Sequence, residues 1–210
     1  MRFALVAVLA VLCAACGADN AQQMVDSPVP PAPCPEGPEL GEVFGVWQLL
    51  SRHELRLNEA DLRGVAEDPA PVLMYLYERE DIARSTRLRA MDALSFVPDE
   101  RVADYLRKHM VHGAVDEDAR HKAIVGFARA FPDHALTEVG TLLALDVDPQ
   151  IRLTAASALA TFCGEDGRIL VLQAAGVEGE QWVKDKMRAY GSDNEDPMAP
   201  REGKPAPTFP

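Results

Sequence analysis

The sequence predicts an all-α fold, a solenoid of stacked antiparallel helix pairs, on three observations. The first is a phrase that recurs: Arg87-Leu88-Arg89-Ala90-Met91-Asp92-Ala93-Leu94 returns as Arg120-His121-Lys122-Ala123-Ile124-Val125-Gly126-Phe127 and again as Arg152-Leu153-Thr154-Ala155-Ala156-Ser157-Ala158-Leu159. A degraded fourth copy is Lys184-Asp185-Lys186-Met187-Arg188-Ala189-Tyr190, and the leading basic residues stand 33, 32 and 32 positions apart. The second is a pair of proline–acid breaks, Pro98-Asp99 and Pro132-Asp133, 34 residues apart. A fixed period of this size marks repeats that bury their apolar faces on one another. The third is composition: 48% apolar residues with only 6% aromatics leave the core to Leu, Val, Ile and Ala, which suits packed helices.

Taken in order, the chain begins with an export address. Arg2 gives a positive start, and Phe3–Leu12 is an apolar run followed by small residues. That run is too short to span a bilayer as a helix and has the pattern of a signal peptide over 1–15. Its end, Leu12-Cys13-Ala14-Ala15-Cys16-Gly17, resembles the lipobox of bacterial lipoproteins, departing from it at Cys13, where that family usually has Leu. The resemblance implies that the signal is cut before Cys16 and that Cys16 carries the acyl chains, palmitate among them, that hold the protein to the membrane. Gly17 brings no acidic retention signal, so the outer membrane is the expected address. The other reading of the same residues is ordinary cleavage and secretion.

Residues 16–39 are rich in Pro and Ala, six of the 16 prolines falling between 28 and 38, and read as an extended tether. At roughly 3 Å per residue, such a stalk would reach ~60–70 Å from the membrane. If Cys13 leaves with the signal and Cys16 is acylated, Cys34 and Cys163 remain. A Cys34–Cys163 disulfide is one reading in an oxidising compartment, and two free thiols the other. The spacing gives no CxxC motif.

The folded domain is expected over 40–190. Val43, Val46, Trp47 and Leu50 recur at helical spacing within Gly41–Leu57, and Pro71–Glu80 opens with a helix-starting proline. Asn58–Pro69 between them reads as a short helix or a loop, and the whole as an irregular first repeat. Regular repeats follow near 82–113, 116–146 and 149–176, with a partial one at 180–190. The first pairs a helix from Asp81 to Phe96 with one from Glu100 to His112, capped by Asp99. The second runs Asp118–Phe131, breaks at Pro132-Asp133, and continues His134–Leu145. The third runs to Phe162, turns at Gly164-Glu165-Asp166-Gly167, and continues Arg168–Ala175. Residues 191–210, with five prolines and few apolar side chains, read as a disordered tail.

Paired helices, acidic or Pro-Asp turns and an Arg-x-x-Ala helix start, over roughly 80–190, resemble the HEAT-like repeat family, in particular its compact bacterial members associated with the phycobilin-lyase type. The resemblance implies a short right-handed solenoid that serves as a binding scaffold; it implies no lyase activity. It also implies that Arg87, Arg120 and Arg152 tie neighbouring repeats together, through an acidic residue such as Asp118 or Asp148. The competing reading makes these three a functional basic ladder for an acidic ligand.

Chemistry is sparse. No phosphate loop, dinucleotide fingerprint, GxSxG elbow or HExxH stands in the chain. His109 and His112 are weak candidate metal ligands, three residues apart on one helix, with His121, His134 and Asp116-Glu117-Asp118 nearby. His121 aligns with Leu88 and Leu153 and is expected to point inward. No catalytic residue, metal or other cofactor is assigned. A net charge of −12 disfavours nucleic acid as a partner. The expected function is a non-enzymatic, envelope-anchored scaffold that contacts the membrane through Cys16 and binds a protein partner. A structural spacer without a ligand is a second reading, and a metal-binding protein or enzyme using the His109–His134 region a third.

Overall fold

A computed structural model describes residues 37–52, 57–111 and 116–192. Cys16 and the signal before it, the tether through residue 36 with Cys34, His112, and the tail from 193 lie outside the described residues, so the expectations placed on them do too.

The described residues form ten α-helices and no strand. The first, α1, spans Leu40–Ser51 and buries Val43, Val46, Trp47 and Leu50, the stripe its spacing predicts. A single turn, α2 (Glu59–Arg63), is held by a reciprocal cap in which Asn58 accepts from the Asp61 amide and Asp61 accepts from that of Asn58. Next come α3 (Pro69–Glu78) and α4 (Arg84–Ala93), the latter tightening into a 3-10 turn, Leu94–Phe96. Asp99 caps α5 (Glu100–Met110) by accepting from the Val102 amide at 2.9 Å. The remainder are α6 (Glu117–Ala130), α7 (Pro132–Leu145), α8 (Pro149–Phe162), α9 (Gly164–Val177) and α10 (Gln181–Gly191).

Two expected breaks are helix starts. Pro132-Asp133 opens α7, leaving only Phe131 between it and α6, because a proline at the first helical position has no amide to lose and its φ is already helical. Gly164-Glu165-Asp166-Gly167 is the first turn of α9. Gly164 has φ +60°, the left-handed region that lets the chain reverse in one residue. Gly167 then lies so close to α8 that a Cβ on it would stand 2.2 Å from the Leu159 carbonyl oxygen. Conversely, the first regular helix starts at Arg84, three residues later than the pattern implied, since Ala83 is extended.

Packing is sequential. Helices α3 and α4, α5 and α6, α7 and α8, and α9 and α10 lie against each other. Beyond these, α4 packs on α6, α6 on α8 and α8 on α10, while α7 packs on α9. The even helices from α4 onward thus form one layer and the odd helices from α3 a second, with α1 packing on both layers at one end through α3 and α4. Between the layers sit fully buried aliphatic side chains with one large ring: Leu94, Leu106, Ile124, Phe127, Ile151 and Leu159. No described helix is long and apolar enough to cross a membrane.

The close approach at Gly167 generates a stability prediction. Gly167→Ala forces α9 away from α8 and is expected to cost about 1–3 kcal/mol, in the range of an overpacked core. Gly176→Ala, where a Cβ would meet open space, is the matched control and should be neutral or stabilising. Urea midpoints of the two variants read the difference.

Candidate functional site

Two surfaces hold the residues that sequence reasoning singled out. One is the edge where each odd helix turns into the next even helix. Arg87, Arg120 and Arg152 occupy the fourth position of α4, α6 and α8, and each reaches back to carbonyls at the end of the preceding helix. Arg87 Nε donates to the Tyr77 carbonyl at 2.8 Å, and its guanidinium lies over the Tyr77 ring, 5.6 Å from the centroid. Arg120 Nε donates to the Met110 carbonyl at 2.9 Å, and Arg152 Nη1 to the Asp146 carbonyl at 2.9 Å. Two of the three also reach forward: Arg120 pairs with Asp146, and Arg152 grips Glu178 through Nε and Nη2 at 2.7 and 2.9 Å.

The acidic partners differ from those expected. Asp118 pairs with Arg84 at 2.6 Å, and Asp148 caps α8 by accepting from the Gln150 amide at 2.8 Å. Both sit at the starts of even helices, where a carboxylate satisfies free amides. Asp146 and Glu178 sit at the ends of α7 and α9, each 26 residues after its arginine. That constant offset was present in the sequence as a signal. The first pair is deeply buried, with side chains 6% and 5% exposed. Arg152 holds the Glu178 carboxyl below its ordinary range, the hydrogen bond between them outweighing the opposing effect of burial.

The other surface is a cleft of about 400 Å³ on the outer face of the even-helix layer, lined from α6, α8 and α10. It exists because the outward residues of α8 there, Gln150, Thr154 and Ser157, are uncharged and mostly short, while α6 brings Lys122 and Val125 and α10 brings Tyr190. His121, expected to point inward, is half-buried at this cleft with Nδ1 2.6 Å from Thr154 Oγ1. Thr154 donates its one hydroxyl hydrogen to the Gln150 carbonyl at 3.0 Å. With the hydrogens assigned so that both contacts are satisfied, His121 Nδ1 is the donor to Thr154 and Nε2 is left for the cleft. Lys122 lies 3.6 Å from Asp92 on α4, a loose contact for an ammonium that stays 46% exposed.

The histidines go to different helices and different neighbours. His109 donates Nδ1–H to the Tyr105 carbonyl at 2.9 Å, and its ring packs 5.1 Å from that of Tyr77 and 4.4 Å from that of Tyr105. His121 sits in the cleft on α6, and His134 is exposed in the first turn of α7. Among the described residues, no group of three or more His, Cys, Asp and Glu could hold a metal ion. Cys163 is half-buried, donates to the Pro132 carbonyl at 3.5 Å, and burial together with Asp133 pushes its thiol pKa up. No protein-family model, curated protein or solved structure matches the chain.

Two predictions follow from the arginine edge. Arg120→Met strands the buried Asp146 carboxylate and is expected to cost about 3–5 kcal/mol, whereas Arg120→Met combined with Asp146→Leu should recover most of that, as paired replacement of a buried ion pair generally does. Thermal and urea unfolding of the two variants make the comparison. The second concerns acid. A carboxyl with a depressed folded pKa contributes stability that is present above its unfolded value, about 4.3 for Glu, and is lost as pH falls through the folded value. Glu178→Gln should therefore be less stable than the wild type at neutral pH, with the gap closing as pH drops below about 4. Urea midpoints between neutral pH and pH 3 follow the gap.

Proposed function

We propose that the chain is a cell-envelope lipoprotein anchored through Cys16, and that its helical domain is a non-enzymatic protein-binding scaffold built as a short right-handed HEAT-like solenoid. One observation carries the repeat reading. Side chains on alternate helices, or on the residues that flank them, pair at a near-constant sequence separation: 34 for Arg84 with Asp118, 33 for Arg101 with Asp68, 31 for Arg107 with Glu138, 33 for His121 with Thr154 and 34 for Arg129 with Ser95. A stack of equivalent units produces such a constant, since each unit meets only its neighbours and does so the same way. The layered packing of alternate helices agrees with it.

Binding is supported by the cleft, where hydrogen-bonding side chains of α8 lie between α6 and α10. The anchor is supported by Leu12-Cys13-Ala14-Ala15-Cys16 and the apolar run before it. Several acyl chains on one residue give stable membrane attachment, which a single chain does not.

A photo-reactive residue introduced at Gln150, in cells carrying the full chain, tests this function. The expected result is one discrete cross-linked adduct in the membrane fraction, absent when the residue is placed instead at exposed Lys108 on α5. Cys16→Ala should move the chain out of the membrane fraction. No adduct from Gln150, or the same adducts from both positions, removes the scaffold reading; a Cys16→Ala chain that stays in the membrane removes the lipid anchor.

A further inference from the structure

The arginines at the fourth helical position are engaged with carbonyls and carboxylates, so they form no ladder for a ligand. Two positions later stands another basic row. The sixth residues of α4, α6, α8 and α10 are Arg89, Lys122, Thr154 and Lys186, equivalent positions in four helices that pack side by side. Lys122 and Lys186 are exposed and Arg89 is half-buried. Arg89 and Lys186 make no hydrogen bond or ion pair among the described residues, and Lys122 has only its 3.6 Å contact with Asp92. Lys122 lines the cleft on α6, and Lys186 lies one turn before Tyr190, the α10 residue of the lining, on the same side of that helix.

This row belongs to a wider asymmetry. In a chain of net charge −12, helices α4, α6, α8 and α10 carry ten Lys and Arg against four Asp and Glu. Helices α3, α5, α7 and α9 carry four against seven. The even helices are the more basic set in an acidic protein, and the cleft lies among them.

We infer that the cleft between α6 and α10 is a docking site for an acidic, extended polypeptide segment of a partner protein, held by Lys122 on one wall, by Gln150 and Ser157 on the floor, and by Lys186, one turn from Tyr190, at the other side. This rests on the scaffold reading and names its partner's chemistry. Helices packed at about 8–10 Å put Lys122 and Lys186 roughly 16–20 Å apart across α8. An extended segment rises about 3.3 Å per residue, so carboxylates five or six residues apart meet both lysines while the backbone between them crosses the floor. On the floor, the Gln150 amide and the Ser157 hydroxyl can serve both the N–H and the C=O groups of a main chain. A flat bilayer surface cannot enter such a cleft, whereas a polypeptide strand can. Charge complementarity thus fixes the sign of the ligand, and the shape of the floor fixes its kind.

The test is a fluorescence-anisotropy titration of the full chain with a short labelled peptide of alternating Glu and Ser, at low salt. Saturable binding is expected, weakening as salt rises. Lys122→Glu with Lys186→Glu should weaken it at least about tenfold, as reversal of a charge pair at an interface generally does. Lys108→Glu with Arg63→Glu, exposed positions elsewhere, should leave it within about twofold, and circular dichroism should show both double variants folded at the assay temperature. No peptide binding by the wild type, equal losses in the two double variants, or binding of phosphatidylglycerol vesicles without binding of the peptide would each overturn the proposal. So would binding that requires deletion of residues 193–210, because the cleft would then be occupied by the chain itself. A discrete partner adduct at Gln150 together with no peptide binding would leave the scaffold standing and remove only the acidic segment.

Discussion

The whole stack depends on one side chain repeated in one position, an arginine at the fourth residue of each regular even helix. Its place is at first sight unfavourable, because the start of a helix carries a partial positive charge. The favourable partner is the end of the preceding helix, whose last carbonyls have no amide to bind. Arg87, Arg120 and Arg152 fill that need for α3, α5 and α7. A guanidinium suits the task better than an ammonium, since its fork can serve a carbonyl with one nitrogen and a carboxylate with another. Arg120 does so, joining the Met110 carbonyl on one side to Asp146 on the other. One side chain thereby fixes the turn between two helices and the distance to the next pair.

That solution shapes the surface. Cations are drawn into the even helices to satisfy the odd helices' ends, and carboxylates collect at the caps. Asp99 shows the balance: burial raises its pKa, yet hydrogen bonds from Arg101 and the Val102 amide outweigh this and leave it below the ordinary value. Asp116 behaves the same way between burial on one side and Arg84 and the Ala119 amide on the other. The charges that remain outside this framework, Arg89 and Lys186 among them, are the ones available to a partner.

The all-helical fold was legible because the Arg-x-x-Ala phrase returns every 32 or 33 residues and apolar residues recur at helical spacing around it. The helix starts at Pro132 and Gly164 were not. Proline and glycine mark the end of one helix and the beginning of another equally well, and only the backbone angles decide between them. The arginine row was legible as a row, while its carboxylates were misread, because Asp118 and Asp148 lie nearer in sequence than Asp146 and Glu178 lie in phase. His121 was misplaced for a related reason. It aligns with Leu88 and Leu153, yet burial varies along this row: Leu153 is buried, whereas Leu88, like His121, is only half-buried. The cleft was invisible, since it is made by what α8 lacks.

An acidic protein with a basic face raises a question of range. The Debye length at physiological salt is about 8 Å, close to the spacing of neighbouring helices. Each cation in the Arg89–Lys122–Lys186 row therefore acts on a ligand at its own position and only weakly on the next. The net charge of −12 acts at larger distances and opposes the approach of an acidic ligand. Salt then has two effects of opposite sign, easing approach by screening the net charge and loosening the grip by screening each lysine. Selectivity follows from that opposition. A segment with one carboxylate is repelled and gains little, whereas one whose carboxylates match the spacing of the lysines gains at both walls together. A uniformly basic surface would capture any polyanion; a basic row on an acidic body favours the one that fits.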